Sequence, residues 1–561
     1  MVNWKSRKLG DILTFANGFI FLVLINVLIS KQFYRLDLTE EKRYTIKPET
    51  HKLLRGIEDE LHVEVFLEGK LNSNFQRFQK SLLETLEEFK IYSDNKISYS
   101  VTDPSVAMSE KARSEFMADL SARGIQPTNV IDTRDGKREE KIIFPGVIVS
   151  YEGVELGVML LKGNKAGTPD EEINQSIEGI EYELASAIYN LVNTERKQVG
   201  FVYGHGELDS LQSASFRNDL LETYDVHPVS LSAAKDLKRF DVLIIAKPTQ
   251  VFSELDKFRL DQYAMKGGRI LFLIDKLEAS MENASNDDYF ATPYNLNLDD
   301  QLFKYGVRLN PNLVQDRRSG MYPVITGQSD GKPKMQLMEW PFFPLISKFA
   351  DHPITRNLDA VLSKFCNSID TVKAIGIKKT PLLMTSPYAR TVSAPVHINV
   401  NELRKNLREE DFTTPSIPIG FLLEGKFTSL YSNRFAPDST LQEEQVNESR
   451  LTKMIVIADG DIARNEVNPR SGQAQPVGFD PMMNYTFANR DFLLNSLSYL
   501  THENGLIQAR TKQVKIRPLD QVRIQGNRVK WQTINLAAFI VLLITYGVIK
   551  LYLRKRRFAK F

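Results

Sequence analysis

Two apolar segments close to the ends of the chain limit how it can fold. They cover residues 12–29 and 534–553 of a 561-residue chain. Each is close to the roughly 20 apolar residues that a helix needs to cross a bilayer, and neither contains an acidic side chain. The sequence therefore predicts a transmembrane anchor and neck at 1–35, a C-terminal transmembrane helix with a basic tail at 531–561, and a large extramembrane body between them.

The first apolar segment is predicted to be an uncleaved anchor rather than a signal peptide. Lys5, Arg7 and Lys8 give it the basic start of a signal peptide. Its apolar run, however, is longer than a usual signal core, and no small-x-small pair stands directly before Lys31. Two crossings place both termini on the same side of the bilayer. Because the basic run at 554–557 stays in the cytoplasm most readily, we expect both termini there and the body outside it.

Charge and cysteine content exclude several classes of function. The chain has 72 Lys and Arg residues against 70 Asp and Glu residues, so no overall field attracts nucleic acid, which is not an expected partner. The single cysteine, Cys366, rules out an intrachain disulfide and fits an exported or a cytosolic chain. We expect it to be buried or incidental. The seven histidines lack metal-ligand spacing, so no metal site is predicted.

Residues 36–195 predict a mixed α/β domain. Alternating apolar residues indicate strands, and apolar residues at three- and four-residue steps indicate helices. The resulting order is strand, helix, strand, helix, strand, strand, helix, which is that of a thioredoxin-like fold. The domain contains no Cys-x-x-Cys motif, so thiol redox chemistry is excluded.

Residues 196–505 predict a second α/β domain, in which short, continuously apolar strands alternate with helices. That pattern is typical of a parallel sheet covered on both faces. The stretch from about 277 to 380 lacks this rhythm and is rich in Asn, Asp and Pro, so we interpret it as an irregular insertion. A basic connector at 506–530 leads from this domain to the C-terminal membrane helix.

Polar residues follow several predicted strands of the second domain. They are Gly204, His205, Gly206, Glu207, Asp275, Ser386, Asp459 and Asp461. Ligands collect at the carboxyl ends of such strands, so one interpretation is a pocket with an imidazole and carboxylates that holds a ligand or a cation. The interpretation we favour is structural, in which the glycines allow tight turns and the carboxylates cap helices.

No motif in the chain assigns a catalytic residue. The sequence contains no Gly-x-Ser-x-Gly, no His-Glu-x-x-His and no Gly-x-x-x-x-Gly-Lys-Ser/Thr. These motifs place a nucleophile, a zinc ion and a nucleotide phosphate, respectively. No catalytic residue and no cofactor is therefore predicted.

Five short motifs in order resemble one family over almost the whole chain. They are the neck at 35–44, Gly-His-Gly-Glu at 204–207, Gly-Gly and Ile-Asp at 267–275, Leu-Glu-Gly-Lys-Phe and Asn-Arg at 423–434, and Ala-Asp-Gly-Asp at 458–461. Together they resemble the auxiliary, substrate-binding-like components of ABC-type transport systems, most closely the gliding-motility members of the GldG type.

The resemblance implies a location, partners and a fold. It implies an inner-membrane protein with its body in the periplasm, beside a GldF-like permease and, through it, a GldA-like ATPase. It also implies that the second domain is similar to the class I amidotransferase-like (flavodoxin-like) domain found in an intraflagellar-transport subunit. The amidotransferase cysteine is missing, because Lys247 and Pro248 follow the strand that ends at Ala246. The resemblance therefore implies no amidotransferase activity.

The leading hypothesis is a non-enzymatic accessory subunit of an ABC-type complex required for gliding, anchored in the lipid bilayer and acting as a scaffold or as a ligand-binding component. Two alternatives stay open. The first is a membrane-tethered hydrolase or transferase that uses His205 with Asp459 or Asp461. The second is a purely structural strut of the cell envelope.

Overall fold

A computed structural model describes most of the chain. The described residues are 7–31, 45–69, 71–104, 109–134, 137–163, 168–193, 195–234, 236–284, 286, 288–329, 332–400, 408–414, 416–437, 445–501, 505–511 and 527–558. The predicted neck motif at 35–44 and residues 512–526 of the predicted connector lie outside this set. The chain divides into two compact units, Met1–Gln513 and Val514–Phe561.

The first unit begins with helix α1 (Arg7–Lys31), which is followed by an α/β domain. The elements of this domain are α2 (Pro48–Arg55), β1 (Leu61–Val65), α3 (Ser73–Tyr92), β2 (Ile97–Val101), α4 (Glu110–Ala122), β3 (Thr128–Arg134), β4 (Lys137–Ile143), β5 (Gly146–Tyr151), β6 (Val154–Met159) and α5 (Pro169–Val192). The predicted order of strands and helices is observed, with one additional hairpin, β3–β4.

A four-stranded sheet in the order β2-β1-β5-β6 forms the centre of this domain. Strand β1 runs parallel to β2 and antiparallel to β5. Val63 and Val65 of β1 are fully buried in one core cluster with Phe78 and Leu82 of α3 and with Leu184 of α5. The period-two pattern of β1 therefore meets the apolar stripes of both helices, which is why the sequence pattern predicts these elements correctly.

The second domain starts with a parallel sheet. Its first elements are β7 (Lys197–Tyr203), α6 (Ala214–Leu221), β8 (Tyr224–Ser230), β9 (Val242–Ala246), α7 (Glu254–Met265) and β10 (Arg269–Leu273). The strands β8, β7, β9 and β10 lie side by side and are mutually parallel. Every residue of β9 is buried, as expected for a central strand that is covered on both faces.

The remainder of the domain is rich in antiparallel strands. Its elements are β11 (Phe290–Ala291), α8 (Asp299–Tyr305), β12 (Val307–Leu309), β13 (Asn312–Asp316), β14 (Ser319–Ser329), β15 (Lys332–Ile346), β16 (Lys348–Phe349), β17 (Val361–Leu362), β18 (Ile369–Thr371), β19 (Ile377–Met384), β20 (Ala389–Ser393), β21 (Val396–His397), β22 (Pro418–Thr428), β23 (Glu448–Ile457), β24 (Phe479–Asp480), β25 (Tyr485–Thr486) and α9 (Asn489–Thr501), followed by the 3₁₀ segment Leu506–Thr511.

The central sheet has eight strands in the order β16-β19-β22-β23-β10-β9-β7-β8. Strand β23 continues the parallel half, but β22 is antiparallel to β23, and β19 is antiparallel to β22. The prediction of a parallel sheet is thus correct for five strands and wrong for the β22 edge. The apolar runs of β19 and β22 show that both strands are buried, but a run of this kind does not reveal its direction.

The stretch that we interpreted as irregular, 277–380, contains regular strands. Its largest feature is the β14–β15 hairpin, which has two register shifts. Most of the other strands in this stretch are two or three residues long and pair with distant segments, as β12 does with β18. Such short strands, and the prolines within β14 and β15, leave no alternation that a sequence pattern can detect.

Helix α5 contacts both ends of the globular body. The N-terminal end, near Lys47, is called the entrance, and the C-terminal end, Leu506–Thr511, is called the exit. At the entrance, the backbone N–H of Lys47 donates to Glu181 Oε1 at 2.7 Å, and the hydroxyl of Thr50 donates to the same oxygen at 2.9 Å. At the exit, residues of the segment Leu506–Thr511 pack against the ring of Tyr182. Glu181 and Tyr182 are consecutive, so the two ends of the body lie side by side.

The same region joins the two domains of the first unit. Asn357 Nδ2 donates to the backbone oxygen of Gln175 at 3.2 Å and lies 3.3 Å from Glu178 Oε2, both on α5. The guanidinium of Arg510 donates to the backbone oxygen of Arg356 at 2.9 Å. The exit segment therefore contacts both domains.

The second unit consists of helix α10 (Arg528–Phe558) within the described residues. Its span Arg528–Arg556 is long and apolar enough to cross a bilayer. Helix α1 of the first unit carries a shorter apolar stretch, Leu13–Ile25. The predicted C-terminal membrane helix thus has the required length and composition, whereas the N-terminal membrane helix stays a prediction.

A buried carboxylate ties three elements of the second domain together. Asp261 of α7 is fully buried. It accepts hydrogen bonds from the Ser429 hydroxyl at 2.6 Å, the Leu430 N–H at 3.0 Å and the Tyr305 hydroxyl at 2.9 Å. These donors lie on α8 and just after β22, so Asp261 connects the helical layer to the antiparallel edge of the sheet.

We expect Asp261→Ala to destabilise the second domain by roughly 2–4 kcal/mol, because it leaves three buried donors without their acceptor. The measurement is the thermal unfolding midpoint of the detergent-solubilised full chain. Asp370→Ala is the matched control, since Asp370 is exposed and pairs only with the exposed Arg308. Equal midpoints for the two variants would contradict the role of Asp261.

Candidate functional site

Three central strands end in a buried cluster of charges. Lys247 follows β9, Asp275 follows β10, and Asp461 follows β23. The ammonium of Lys247 lies 3.0 Å from Asp275 Oδ2 and 2.5 Å from Asp461 Oδ2. Asp275 also accepts a hydrogen bond from the backbone N–H of Gly460 at 2.6 Å. One lysine therefore joins the carboxyl ends of three neighbouring strands.

Asp459 adds a third carboxyl group beside this ion cluster. It accepts hydrogen bonds from the Ser363 hydroxyl at 2.5 Å, the Lys364 N–H at 3.0 Å and the Asp461 N–H at 2.8 Å. Burial, together with the nearby carboxylates of Asp275 and Asp461, raises the pKa of Asp459 to about 8. Asp459 is therefore mainly a neutral hydrogen-bonding group at neutral pH.

Burial and mutual attraction shift the pKa values of Lys247, Asp275 and Asp461. Burial alone would lower the pKa of the Lys247 ammonium, but Asp275 and Asp461 outweigh it, so the pKa is raised and the lysine stays charged. Burial raises the pKa of Asp275. For Asp461, burial acts in the same direction, but Lys247 and Arg464 outweigh it and the pKa is lowered.

The backbone at Lys247 adopts an unusual conformation. Its φ is +56°, in the left-handed region that non-glycine residues rarely occupy. A Cβ added at Gly460 would lie 2.7 Å from Cβ of Lys247, so the loop after β23 needs glycine where it passes this turn. Left-handed residues at strand ends are frequent at functional sites, and here the two salt bridges of Lys247 hold the turn.

His205 lies in a second cluster, after β7. Its Nδ1 is 3.1 Å from Glu207 Oε1, and its Nε2 is 3.3 Å from Asp256 Oδ2. The ring stacks on Phe252 with a centroid separation of 3.8 Å and an interplanar angle of 4°. The backbone oxygen of His205 also accepts hydrogen bonds from residues of the loop after β9. His205 therefore fills the gap between the ends of β7 and β9.

The surroundings of His205 favour its charged form. Burial lowers the pKa of the imidazole, but the hydrogen bonds and charges of Glu207 and Asp256 outweigh burial, so the pKa is raised. When protonated, both ring nitrogens are donors, which matches a carboxylate on each side. In that charged form, the ring is an imidazolium held between two carboxylates.

The structure separates the predicted site residues into two groups. Asp275, Asp459 and Asp461 share the cluster of Lys247, whereas His205 is bound by Glu207 and Asp256. No hydrogen bond or ion pair between described residues joins His205 to Asp459 or Asp461. The remaining candidate, Ser386, donates its hydroxyl to Asp316 Oδ1 at 2.5 Å.

An open cavity of about 350 Å³ lies at the end of β7, beside the His205 cluster. Gly204 and Gly206, both with positive φ, form part of its wall. Other polar lining residues are Asp209, Ser210 and Arg217. The two predicted glycines therefore border a cavity rather than only shaping a turn.

The sequence interpretation missed several residues of these sites. Lys247 directly follows a buried strand, so its position was a usable signal. Asp256, Ser363 and Arg217 lie on other elements and reach the sites only through tertiary folding. Nothing in the local sequence marks them.

Cys366 is fully buried, as expected, and burial raises the pKa of its thiol well above the usual value. It is therefore a neutral thiol without the character of a nucleophile. Among the described residues, no group of three or more His, Cys, Asp or Glu side chains is arranged to hold a metal ion.

Residues 196–496, more than half of the chain, match the protein family described as ABC-type uncharacterized transport system. The chain belongs to this family. It is thus an auxiliary component associated with an ABC-type transport system. Residues 40–150 match a second family, described as a domain of unknown function.

Two individual proteins are similar to this chain. An uncharacterized protein of Borreliella burgdorferi is 22% identical over 450 residues, which cover 79% of this chain and 82% of that protein. The solved structure of the mmIFT52 N-terminal domain is 12% identical, with a TM-score of 0.30, and the match covers 54% of this chain and 97% of that one.

We expect His205→Gln to change the pH dependence of stability. Because the pKa of His205 is raised above 6.5 in the folded chain, its charged hydrogen bonds stabilise the fold fully below pH 6.5. This contribution is lost as the pH rises through the folded pKa. The unfolding midpoints of wild type and variant should therefore differ more at about pH 5.5 than at about pH 9.

The matched control for this measurement is His62→Gln, which changes an exposed histidine that contacts Ser98 and Ser100. A difference between wild type and His205→Gln that is constant with pH, or larger at alkaline pH, would contradict a charged imidazole at this position.

Proposed function

We propose that this chain is a non-enzymatic accessory subunit of an ABC-type transporter, held at the bacterial inner membrane by both ends with its body in the periplasm. Family membership supplies the transport system. The observation that supports anchoring by both ends is that the entrance and the exit of the body both contact helix α5, at Glu181 and Tyr182. Anchors attached to two neighbouring points of the body can reach the same partner in the bilayer.

The lengths of the connections are compatible with this arrangement. Thirteen residues separate the end of α1 at Lys31 from Thr45, and 16 residues separate Thr511 from the start of α10 at Arg528. An extended chain spans at most about 3.5 Å per residue, so neither connection reaches beyond roughly 60 Å.

Several side chains support a non-enzymatic role. At the end of β9, Lys247 is charged and engaged by two carboxylates, so its amine is not a free nucleophile. Cys366 is fully buried, with the pKa of its thiol raised by burial and by the nearby Asp459, and His205 is held by Glu207 and Asp256. The sequence has no nucleotide-binding loop, so ATP hydrolysis would belong to a separate chain.

The strand orders support the finer fold assignments. In the first domain, the order β2-β1-β5-β6 with β1 and β2 parallel is compatible with a thioredoxin-like fold. In the second, the parallel strands are arranged β8-β7-β9-β10-β23. Numbered along the chain, this is 2-1-3-4-5, the order of flavodoxin-like sheets. We therefore assign thioredoxin-like and flavodoxin-like (amidotransferase-like) domains.

The proposed partners are a GldF-like permease and, through it, a GldA-like ATPase, in a complex that serves gliding motility. The membrane helices would pack on the permease, and the body would act as a scaffold or bind a ligand. The five ordered motifs between the neck at 35–44 and Ala-Asp-Gly-Asp at 458–461 support this assignment.

Purification of the tagged chain from its native membranes in a mild detergent tests this proposal. We expect a permease and an ATPase to be recovered with it in a constant ratio. An unrelated tagged protein with a single membrane helix, expressed in the same cells, measures non-specific recovery. Isolation of the chain as a monomer in several mild detergents would contradict the proposal.

A further inference from the structure

The cavity at the end of β7 contains an unpaired cation. Arg217 lines it from α6. Within the described part of the chain, no hydrogen bond or ion pair engages its guanidinium. An arginine without a carboxylate partner, in a concave site, is free to bind an anionic ligand.

Backbone donors face the same space. The N–H groups of Gly204, Gly206 and Ser210 donate no hydrogen bond to any residue that the structure describes. A Cβ added to Gly204 would meet no atom within 4 Å, so this glycine borders open space. Free backbone N–H groups beside glycines can bind an anionic group.

The carboxylates of the cavity are already used as acceptors. Both oxygens of Glu207 bind His205, at 2.7 Å from its backbone nitrogen and 3.1 Å from its Nδ1. Asp209 Oδ1 accepts the N–H groups of Leu211 and Gln212 at 2.8 and 2.7 Å. Three of the four carboxylate oxygens of Glu207 and Asp209 are thus occupied, whereas the guanidinium of Arg217 and the three N–H groups have no described acceptor. These free donors are the groups that an anion would bind.

The position and shape of the cavity also suit a ligand. It lies at the carboxyl end of β7, whose neighbours β8 and β9 are reached in opposite directions along the sheet. This is where ligands bind in open α/β sheets. Its volume of about 350 Å³ exceeds that of a bare ion, and Phe201, Leu208 and Pro228 add apolar wall.

We propose that this cavity binds a small organic anion, whose phosphate or carboxylate is held by Arg217 and by the N–H groups of Gly204, Gly206 and Ser210. The carbon part of the ligand lies against the apolar wall. The inference rests on the ligand-binding form of the proposed function. It involves no chemical step.

Isothermal titration of the detergent-solubilised full chain tests the inference. The probes are glycerol 3-phosphate and glycerate, which separate phosphate from carboxylate, and neutral glycerol. We expect at least one anion to bind with a dissociation constant of about 1 mM or tighter, and glycerol not to bind. Absence of binding by both anions would overturn the inference.

Amino-acid substitutions test whether the anion binds in this cavity. Arg217→Gln should weaken the binding of the anion at least tenfold, because it removes the positive charge. Arg450→Gln changes an exposed arginine elsewhere and should leave the affinity unchanged. If Arg217→Gln does not fold, Ser210→Phe, at an exposed position on the rim, should block the cavity with the same loss. Wild-type affinity in whichever of these variants folds would overturn the inference.

Failure of this inference can be distinguished from failure of the proposed function. Arg217 belongs to the second domain and not to a predicted membrane helix, so Arg217→Gln should still be recovered with the permease. Loss of anion binding with retained permease supports the cavity as the ligand site. Loss of the permease from wild type would instead contradict the accessory-subunit role.

Discussion

The attachment of both ends of the body to helix α5 is the constraint on which this account depends. Glu181 accepts hydrogen bonds from the entering chain, and Tyr182 packs against the leaving segment Leu506–Thr511. Because Arg510 of that segment also binds the backbone of Arg356, the same contact fixes the first domain against the second. A protein whose ends were far apart could not place two anchors beside one partner. Here, after both domains are complete, the chain comes back to helix α5, which it also contacts near Lys47.

The carboxyl edge of the central sheet carries two clusters with different consequences. In the Lys247 cluster, the buried ammonium is engaged by Asp275 and Asp461, so the cluster connects three strand ends. The His205 cluster lies beside an open cavity in which Arg217 has no described partner. Both occupy an edge where related sheets bind ligands. We therefore propose that the central part of the edge is structural and that a ligand binds to one side of it, at β7.

Local periodicity in the sequence predicted elements whose apolar faces repeat over many residues, such as α3, α5, β7 and β10. It failed for Tyr224–Ser230, a strand at the edge of the sheet in which exposed residues and Pro228 break the pattern. It also could not give the direction of β22, because a buried strand looks the same in either direction. Likewise, glycines and carboxylates at strand ends were visible in the sequence. Their partners Asp256 and Arg217 were not, because they depend on how separate helices pack on the sheet.

Alkaline phosphatase inserted after Asn286, in the loop between β10 and β11, measures most directly whether the body lies outside the cytoplasm. This enzyme is active only where its disulfides form. If both ends of the chain are anchored with cytoplasmic termini, the fusion is active in intact cells, and the same enzyme fused to either terminus is inactive. An inactive fusion after Asn286, in a chain that is still inserted in the membrane, would contradict a body held outside the cytoplasm.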